Sequence, residues 1–395
     1  MVDPVPQLED LPIEQCTRVL LRADFNVPLK DGKIDDELRI TAALPTIEYL
    51  RARGASVVCC SHLGRPKGKV DPKYSLAPVA ARLGELLHTE VALAPEVNGF
   101  KAVSMSQSMD AGAVMMVENL RFDPGEEAND PAFATNLAEL GDVYIDDAFG
   151  AAHRAHASIV GPPRVMPAAA GRLLAREVEV LGGLLGEPKR PFVVVLGGVK
   201  VSDKLGVIDA LLTKADRILI GGAMAFTFLA AQGFRTGDSL VEPDQVEHCK
   251  QLLASGRIEV PTDVVVAADM TADAVTRHVR AGGMPDGLKG LDVGPETAGH
   301  YADVIAGAAT VLWNGPMGVF ELEPFAAGTR TVAHAVAECR GFTVVGGGDS
   351  ASAVRHMGLA DDIDHVSTGG GASLELIELG DLPGLIALRS GVAKS

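Results

Sequence analysis

The sequence predicts an α/β protein: two doubly wound parallel-sheet domains joined by a connecting helix and hinge. Three observations carry that prediction. Short apolar runs alternate with helix-like segments along the chain, the mark of parallel sheets wound with helices. The alternation occurs twice, before and after a proline- and glycine-rich stretch at 161–167. The 395 residues, 47% of them apolar, suffice to bury two domain cores of ordinary size.

In the first half, strands are expected at 18–23, 56–61, 113–117 and 143–145, with a weaker one at 91–93. A helix is expected at 41–53. After the 161–167 break, residues 168–185 carry leucine and valine at helical spacing and read as the connecting helix. The domain boundary therefore falls at 170–176, giving an N-terminal domain of residues 1–172 and a C-terminal domain of residues 173–379. In the second half, strands are expected at 192–196, 217–220, 264–267, 310–313, 343–345 and 365–367, and helices at 204–214 and 324–338. The two halves share an architecture, with no internal sequence repeat.

Composition narrows the possible functions. No run approaches the roughly 20 apolar residues of a membrane span, and the N-terminus has neither a basic segment nor an apolar signal core, so a soluble cytoplasmic protein is expected. Five cysteines (Cys16, Cys59, Cys60, Cys249, Cys339) form no CxxC pair, which suits reduced thiols used in packing. A net charge of −17 argues against nucleic-acid binding, because the acidic surface would repel a phosphate backbone. Any anionic ligand must meet a local basic cluster.

Such clusters stand at the expected strand ends, where open α/β sheets bind ligands. The 192–205 segment, FVVVLGGVKVSDKL, breaks at Gly197-Gly198 and delivers Lys200 and Lys204, four residues apart, so that on one helical turn both ammonium groups could face one phosphate. The plain alternative is a strand-to-helix connection with solvated lysines. Two further glycine-rich turns, VVGGGDS at 344–350 and VSTGGGA at 366–372, favour the phosphate reading. In the first half, Arg22, Arg39, Arg65, Arg121 and Arg154, with His62, His153 and His156, stand at or near strand ends, beside Asp24 and Asn26. Arginine suits phosphate and carboxylate because its planar fork donates two parallel hydrogen bonds and stays charged. One basic pocket for a small phosphorylated acid is expected; single arginines could equally pair with surface carboxylates. No HExxH or comparable spacing marks a histidine metal site.

Taken in order, RADFNVP, SHLGRP, ENLRF, AHRAHAS, GGVKVSDK, WNGPMGVFE, GGGDS and STGGGAS resemble the motifs of the phosphoglycerate kinase family over nearly the whole chain. The resemblance implies two Rossmann-like domains, the first binding 3-phosphoglycerate and the second MgATP or MgADP, with a phosphoryl group passing between nucleotide and substrate carboxylate in glycolysis. It implies that Asp24, Asn26, Arg39, His62, Leu63, Gly64, Arg65, Arg121 and Arg154 hold the phosphoglycerate. Lys200 and Lys204 would meet nucleotide phosphates and the migrating group, and Glu321 the ribose. Asp349 would ligate Mg²⁺, the Gly347-Gly348 amides with Ser350 would form a phosphate nest, and Gly221, Asn314 and Pro316 would border the adenosine. Gly369, Gly370 and Gly371 would open a helix whose amides point at the transferring group, Gly370 catalytically. A monomer is expected, whose tail at 380–395 returns to the first domain.

Departures are local: Ser350 in place of threonine, Ala223 for a third glycine, Ala151 where threonine is usual, and LGDLPG after STGGGASLELIE. A dehydrogenase would need GxGxxG with an acidic residue about 20 positions on, and a Walker-type NTPase GxxxxGK[ST]; neither is present. Phosphoryl transfer needs reacting atoms about 3 to 3.5 Å apart and shielded from water, so closure by movement near 161–176 and 379–383 is expected when both ligands bind. Small-angle scattering with 3-phosphoglycerate and a non-hydrolysable MgATP analogue together is expected to give a smaller radius of gyration than either alone; an unchanged radius would rule the closure out.

Overall fold

The computed structural model describes residues 2–391. The chain divides into two compact units, one of residues 2–180 with the C-terminal segment from 381, the other of residues 181–380.

The first unit is built on six parallel strands: β1 (Arg18–Arg22), β2 (Ser56–Cys60), β3 (Val91–Leu93), β4 (Val114–Met116), β5 (Val143–Asp146) and β6 (Ala168–Ala170), in the order β3-β4-β2-β1-β5-β6. Val19, Leu20 and Leu21 of β1 are wholly buried, as expected of a central strand covered on both faces. β1 pairs with β2 on one side and β5 on the other, so the winding changes direction there and a crevice opens beyond its carboxyl end. Helix α1 (Leu38–Ala52) follows a hairpin of Leu29–Lys30 and Lys33–Ile34, whose Asp31-Gly32 turn has φ of 52° and 74°.

The connecting segment differs from expectation. Residues 168–170 form β6, paired with β5 through Tyr144 and Ala168, and helix α2 (Arg172–Leu185) begins only after Gly171. Alanine suits a helix, but a waiting sheet edge overrides that preference. Helix α2 runs across the division between the units at 180/181.

The second unit repeats the plan with β7 (Phe192–Leu196), β8 (Arg217–Ile220), β9 (Ile258–Glu259), β10 (Asp263–Ala267), β11 (Arg277–Arg280), β12 (Lys289–Val293), β13 (Thr310–Asn314), β14 (Phe342–Gly346) and β15 (His365–Val366). Its parallel sheet runs β9-β8-β7-β13-β14-β15, with β7 at the switch point. The 264–267 run is not part of it: β10 is the centre of a separate antiparallel sheet ordered β11-β10-β12. No helix separates β10 from β11, so there is no crossover to bring the chain back parallel. Helices α3 (Leu205–Leu212), α4 (Ala327–Ala337), α5 (Gly348–His356) and α6 (Gly371–Leu379) follow strands of the parallel sheet or the loops after them. Pro324 lies in a 3₁₀ turn, Glu323–Phe325, ahead of α4. The last helix, α7 (Pro383–Arg389), packs within the first unit, where Gly384 donates its N–H to Ala152 O at 2.9 Å. No described helix is long and apolar enough to cross a membrane.

Candidate active site

Beyond the ends of β1, β2 and β4, polar side chains tie three loops together. Arg39 on α1 donates to Asp24 Oδ2 at 2.8 Å and to Asn26 O at 3.3 Å. Asn26 Oδ1 accepts from the Gly64 N–H at 2.9 Å, and Arg121 Nη1 donates to Gly64 O at 2.8 Å, so the peptides on both sides of Gly64 are held. Gly64 has φ of 60°, and a Cβ there would lie 2.4 Å from the Tyr74 ring, so only glycine fits. Asn119 clamps the neighbouring Leu63, its Nδ2 donating to Leu63 O at 2.7 Å while its Oδ1 accepts from Leu63 N at 3.2 Å. Sequence reasoning passed over Asn119; its place inside ENLRF was the available signal.

Arg22 departs from expectation. It is wholly buried and donates to Ser158, Ala23 O and His62, so it stands behind the pocket, whereas Arg65 and Arg154 are exposed. The cations crowd one another. Burial, then Arg22, Arg121, Arg39 and His156, holds the His62 imidazole well below its usual pKa. Burial followed by Arg121, Arg22 and Arg154 pushes His156 down to about 4. Arg121 is lowered too, by burial, with Glu127 opposing and Arg154 and Arg22 adding to the shift. A bound anion would relieve this repulsion.

In the second unit the loops after β7, β8 and β13 touch backbone to backbone. A Cβ on Gly197 would lie 2.0 Å from Pro316 O, and one on Gly222 2.5 Å from Gly198 N and O. Gly222 donates to Met317 O at 2.9 Å, and a Cβ on Gly221 would meet Met317 Sδ at 2.4 Å. The glycines are thus required by close approach of the chain to itself.

Lys204 is the N-cap residue of α3, not part of a helical turn shared with Lys200. Lys200 lies exposed in the preceding loop, and the expected shared turn does not form. The Lys204 ammonium is buried and donates to Asn314 O at 3.2 Å and to Asn314 Oδ1. Burial lowers its pKa to about 8 against the opposing pull of Asp349 and Asp203. Asn314 therefore orients the lysine. Ser350 also turns inward: its hydroxyl accepts from Gly315 N at 3.1 Å and donates to Gly346 O, fastening the loops after β13 and β14, so it is not exposed as a nest donor.

Asp349 is exposed in the first turn of α5, whose N-cap is Gly347 with φ of 90°. Asp349 is therefore not the helix cap. Among the described residues no group of three or more His, Cys, Asp or Glu could hold a metal ion. A magnesium ion at Asp349 would have to draw its other oxygens from phosphate and water, the usual arrangement at nucleotide sites. Gly370, with φ of 53°, caps α6, whose first-turn amides lack helical acceptors. Glu321 is exposed, and Pro316 contributes its carbonyl to the packed loops.

Fold and chemistry together define a class: a two-unit α/β enzyme that handles phosphorylated small molecules. Comparison with known proteins makes the assignment specific, and the chain belongs to the phosphoglycerate kinase family. Residues 8–379 match the family model described as phosphoglycerate kinase. The chain is 56% identical over 379 residues to "Phosphoglycerate kinase" of Roseiflexus sp. (strain RS-1), covering 94% of this chain and 96% of that protein. It is also 56% identical over 394 residues to that of Salinispora tropica, covering 97% and 99%. The solved phosphoglycerate kinase of Coxiella burnetii superposes with a TM-score of 0.88 at 40% identity, over 98% of this chain and 99% of that one. That of Pyrococcus horikoshii gives 0.87 at 35%, over 97% and 98%. The family transfers a phosphoryl group reversibly between ATP and 3-phosphoglycerate in glycolysis, and this chain is such a phosphotransferase.

The lowered Lys204 pKa fixes a pH dependence. Between about 8 and its ordinary value of 10.5 the unfolded lysine binds more protons than the folded one, so stability rises with pH across that window. Urea unfolding of the ligand-free protein is expected to show the gap between Lys204→Met and wild type moving in favour of wild type from pH 8 to 10. A gap independent of pH would show that the buried ammonium is not perturbed.

Proposed function

We propose that the first unit binds 3-phosphoglycerate and the second binds MgATP or MgADP, each through the residues that the family motifs mark. The observation that carries this reading is the crowding of cations in the first unit of a chain with net charge −17. Such a cluster is self-repulsive until an anion enters it. Arg65, Arg121, Arg154 and His62 hold the substrate phosphate, and the Leu63-Gly64 loop frames it. Asp24 and Asn26 receive the hydroxyl and carboxyl end, and Arg39 spans from there to the migrating group.

In the second unit, Gly221, Asn314 and Pro316 border the adenosine, and Glu321 accepts from the ribose hydroxyls. Gly347 and Gly348 offer amides to a phosphate, while Ser350 fixes the loop that presents them. Lys204 is held ready by Asn314, and exposed Lys200 extends toward the transferring group. Asp349 holds Mg²⁺, which neutralises phosphate charge when bound with the nucleotide. A substrate carboxylate is already a nucleophile, so no general base is required. Catalysis rests on positioning and on stabilising charge spread over the equatorial oxygens by Arg39, Lys200, Lys204 and the α6 amides capped by Gly370. The thiols, all five unpaired, support a reducing cytoplasmic setting, and the protein works as a monomer without nucleic acid or membrane.

Arg39→Ala is expected to lower kcat by about 10² to 10³, the scale for one preorganised donor, with a much smaller rise in KM. A variant that keeps most of its turnover removes Arg39 from the transition state. For the metal, calorimetry of Asp349→Asn is expected to show weakened MgADP binding with phosphoglycerate affinity nearly intact. Equal losses for both ligands would mean that the substitution damages the fold instead.

A further inference from the structure

Behind the anion pocket of the first unit a buried polar chain leads to His62 through Glu126, Ser158 and Arg22, three residues to which the roles above give no part. Glu126, Ser158 and Arg22 are all wholly buried, and His62 nearly so. Arg22 Nε donates to Ser158 Oγ at 2.9 Å, and Ser158 Oγ in turn donates to Glu126 Oε1 at 2.7 Å. The Ser158 N–H donates to Glu126 Oε2 at 2.9 Å, and Tyr144 OH fixes Ser158 by donating to its carbonyl at 2.8 Å. Arg22 Nη2 reaches His62 Nδ1 at 3.2 Å.

The directions of these bonds are forced. A guanidinium has donors and no acceptor, so Ser158 Oγ must accept from it and spend its single proton on Glu126. The same logic makes His62 Nδ1 an acceptor, which leaves the ring proton on Nε2. The competing partner for Nδ1, Asp24 Oδ1, lies 4.0 Å away, beyond hydrogen-bond reach. Both oxygens of Glu126 accept, as in an ionised carboxylate, and burial of that charge is tolerable only with a counter-charge. His156 Nδ1 lies 3.8 Å from Glu126 Oε1, but its pKa of about 4 makes it neutral at pH 7, so Arg22 is the counter-charge.

We propose that Glu126 is a positioning residue: acting through Ser158 it anchors and balances Arg22, and Arg22 locks His62 as the neutral Nε2–H tautomer, so that this histidine serves the pocket as a hydrogen-bond donor and not as a cation. The value of this for catalysis rests on the placement of His62 among the substrate ligands given above. A fixed tautomer presents a donor to a phosphate oxygen without a protonation step, and spares the site another positive charge among Arg22, Arg39 and Arg121.

The test reads the histidine ring directly. Nitrogen-15 spectra of the full chain labelled at histidine rings, with His62→Gln to assign the resonance, are expected to show a neutral His62 protonated at Nε2 at pH 7. Ser158→Ala and Glu126→Gln are expected to bring up the Nδ1–H or the doubly protonated form. They are also expected to raise KM for 3-phosphoglycerate by about tenfold or more, with a smaller change in kcat, the scale of a lost charge-assisted bond. Wild-type His62 carrying its proton on Nδ1 would overturn the proposal, even if neither variant folds. Folded variants with an unaltered His62 spectrum would overturn it as well. A changed spectrum with an unchanged KM supports the locking chain and removes His62 from the substrate site, so the two readings fail separately.

Discussion

Mutual repulsion among buried and half-buried cations is the constraint on which the first unit turns. Burial and the neighbouring arginines lower the proton affinity of His62, His156 and Arg121, and the fold keeps these groups together with Arg22 and Arg39 at the crevice of a parallel sheet. Such a cluster is held by acceptors set against its donors. Asp24 ties Arg39, Glu126 balances Arg22, and the carbonyl of Gly64 accepts from Arg121 Nη1. Two histidines stay neutral, which limits the repulsion. The result is a rigid set of donors arranged before any substrate arrives, the condition under which electrostatic stabilisation costs no reorganisation.

The second unit reaches the same end with backbone. Gly197, Gly222 and Gly315 allow three loops to pack peptide against peptide, and the Lys204 ammonium threads into that packing to meet Asn314. A desolvated ammonium with a pKa of about 8 is charged at neutral pH yet weakly hydrated, so it gives more to a phosphate than a surface lysine would. Ser350 closes the arrangement by joining the ends of β13 and β14, so the carboxylate of Asp349 is presented from a fastened loop.

Much of this was legible in the sequence, and the exceptions are instructive. Buried parallel strands such as β7, FVVVL, read as continuous apolar runs because both faces are covered. β11, RHVR, is exposed over most of its length and carries no such signal, so the antiparallel sheet around β10 was missed. β6 is three alanines, whose strand state comes only from pairing with β5. Arginines and glycines at strand ends pointed to the candidate site because their chemistry resides in the residue type. The roles of Asn119, Glu126 and Ser158 depend on partners far away in sequence, and the fold alone brings them together. The spacing of Lys200 and Lys204 misled, since four residues mean one turn only where a helix exists.

The direct measurement is a coupled assay with ATP and Mg²⁺ in which 3-phosphoglycerate is compared with glycerate, which lacks the phosphate but keeps the reacting carboxylate. If the crowded cations serve that phosphate, 3-phosphoglycerate turns over and kcat/KM for glycerate is lower by on the order of 10⁴ or more, since a site built around a polar group rejects the analogue without it. Comparable kcat/KM for the two acids, or no turnover of either, would contradict the role assigned to the cluster.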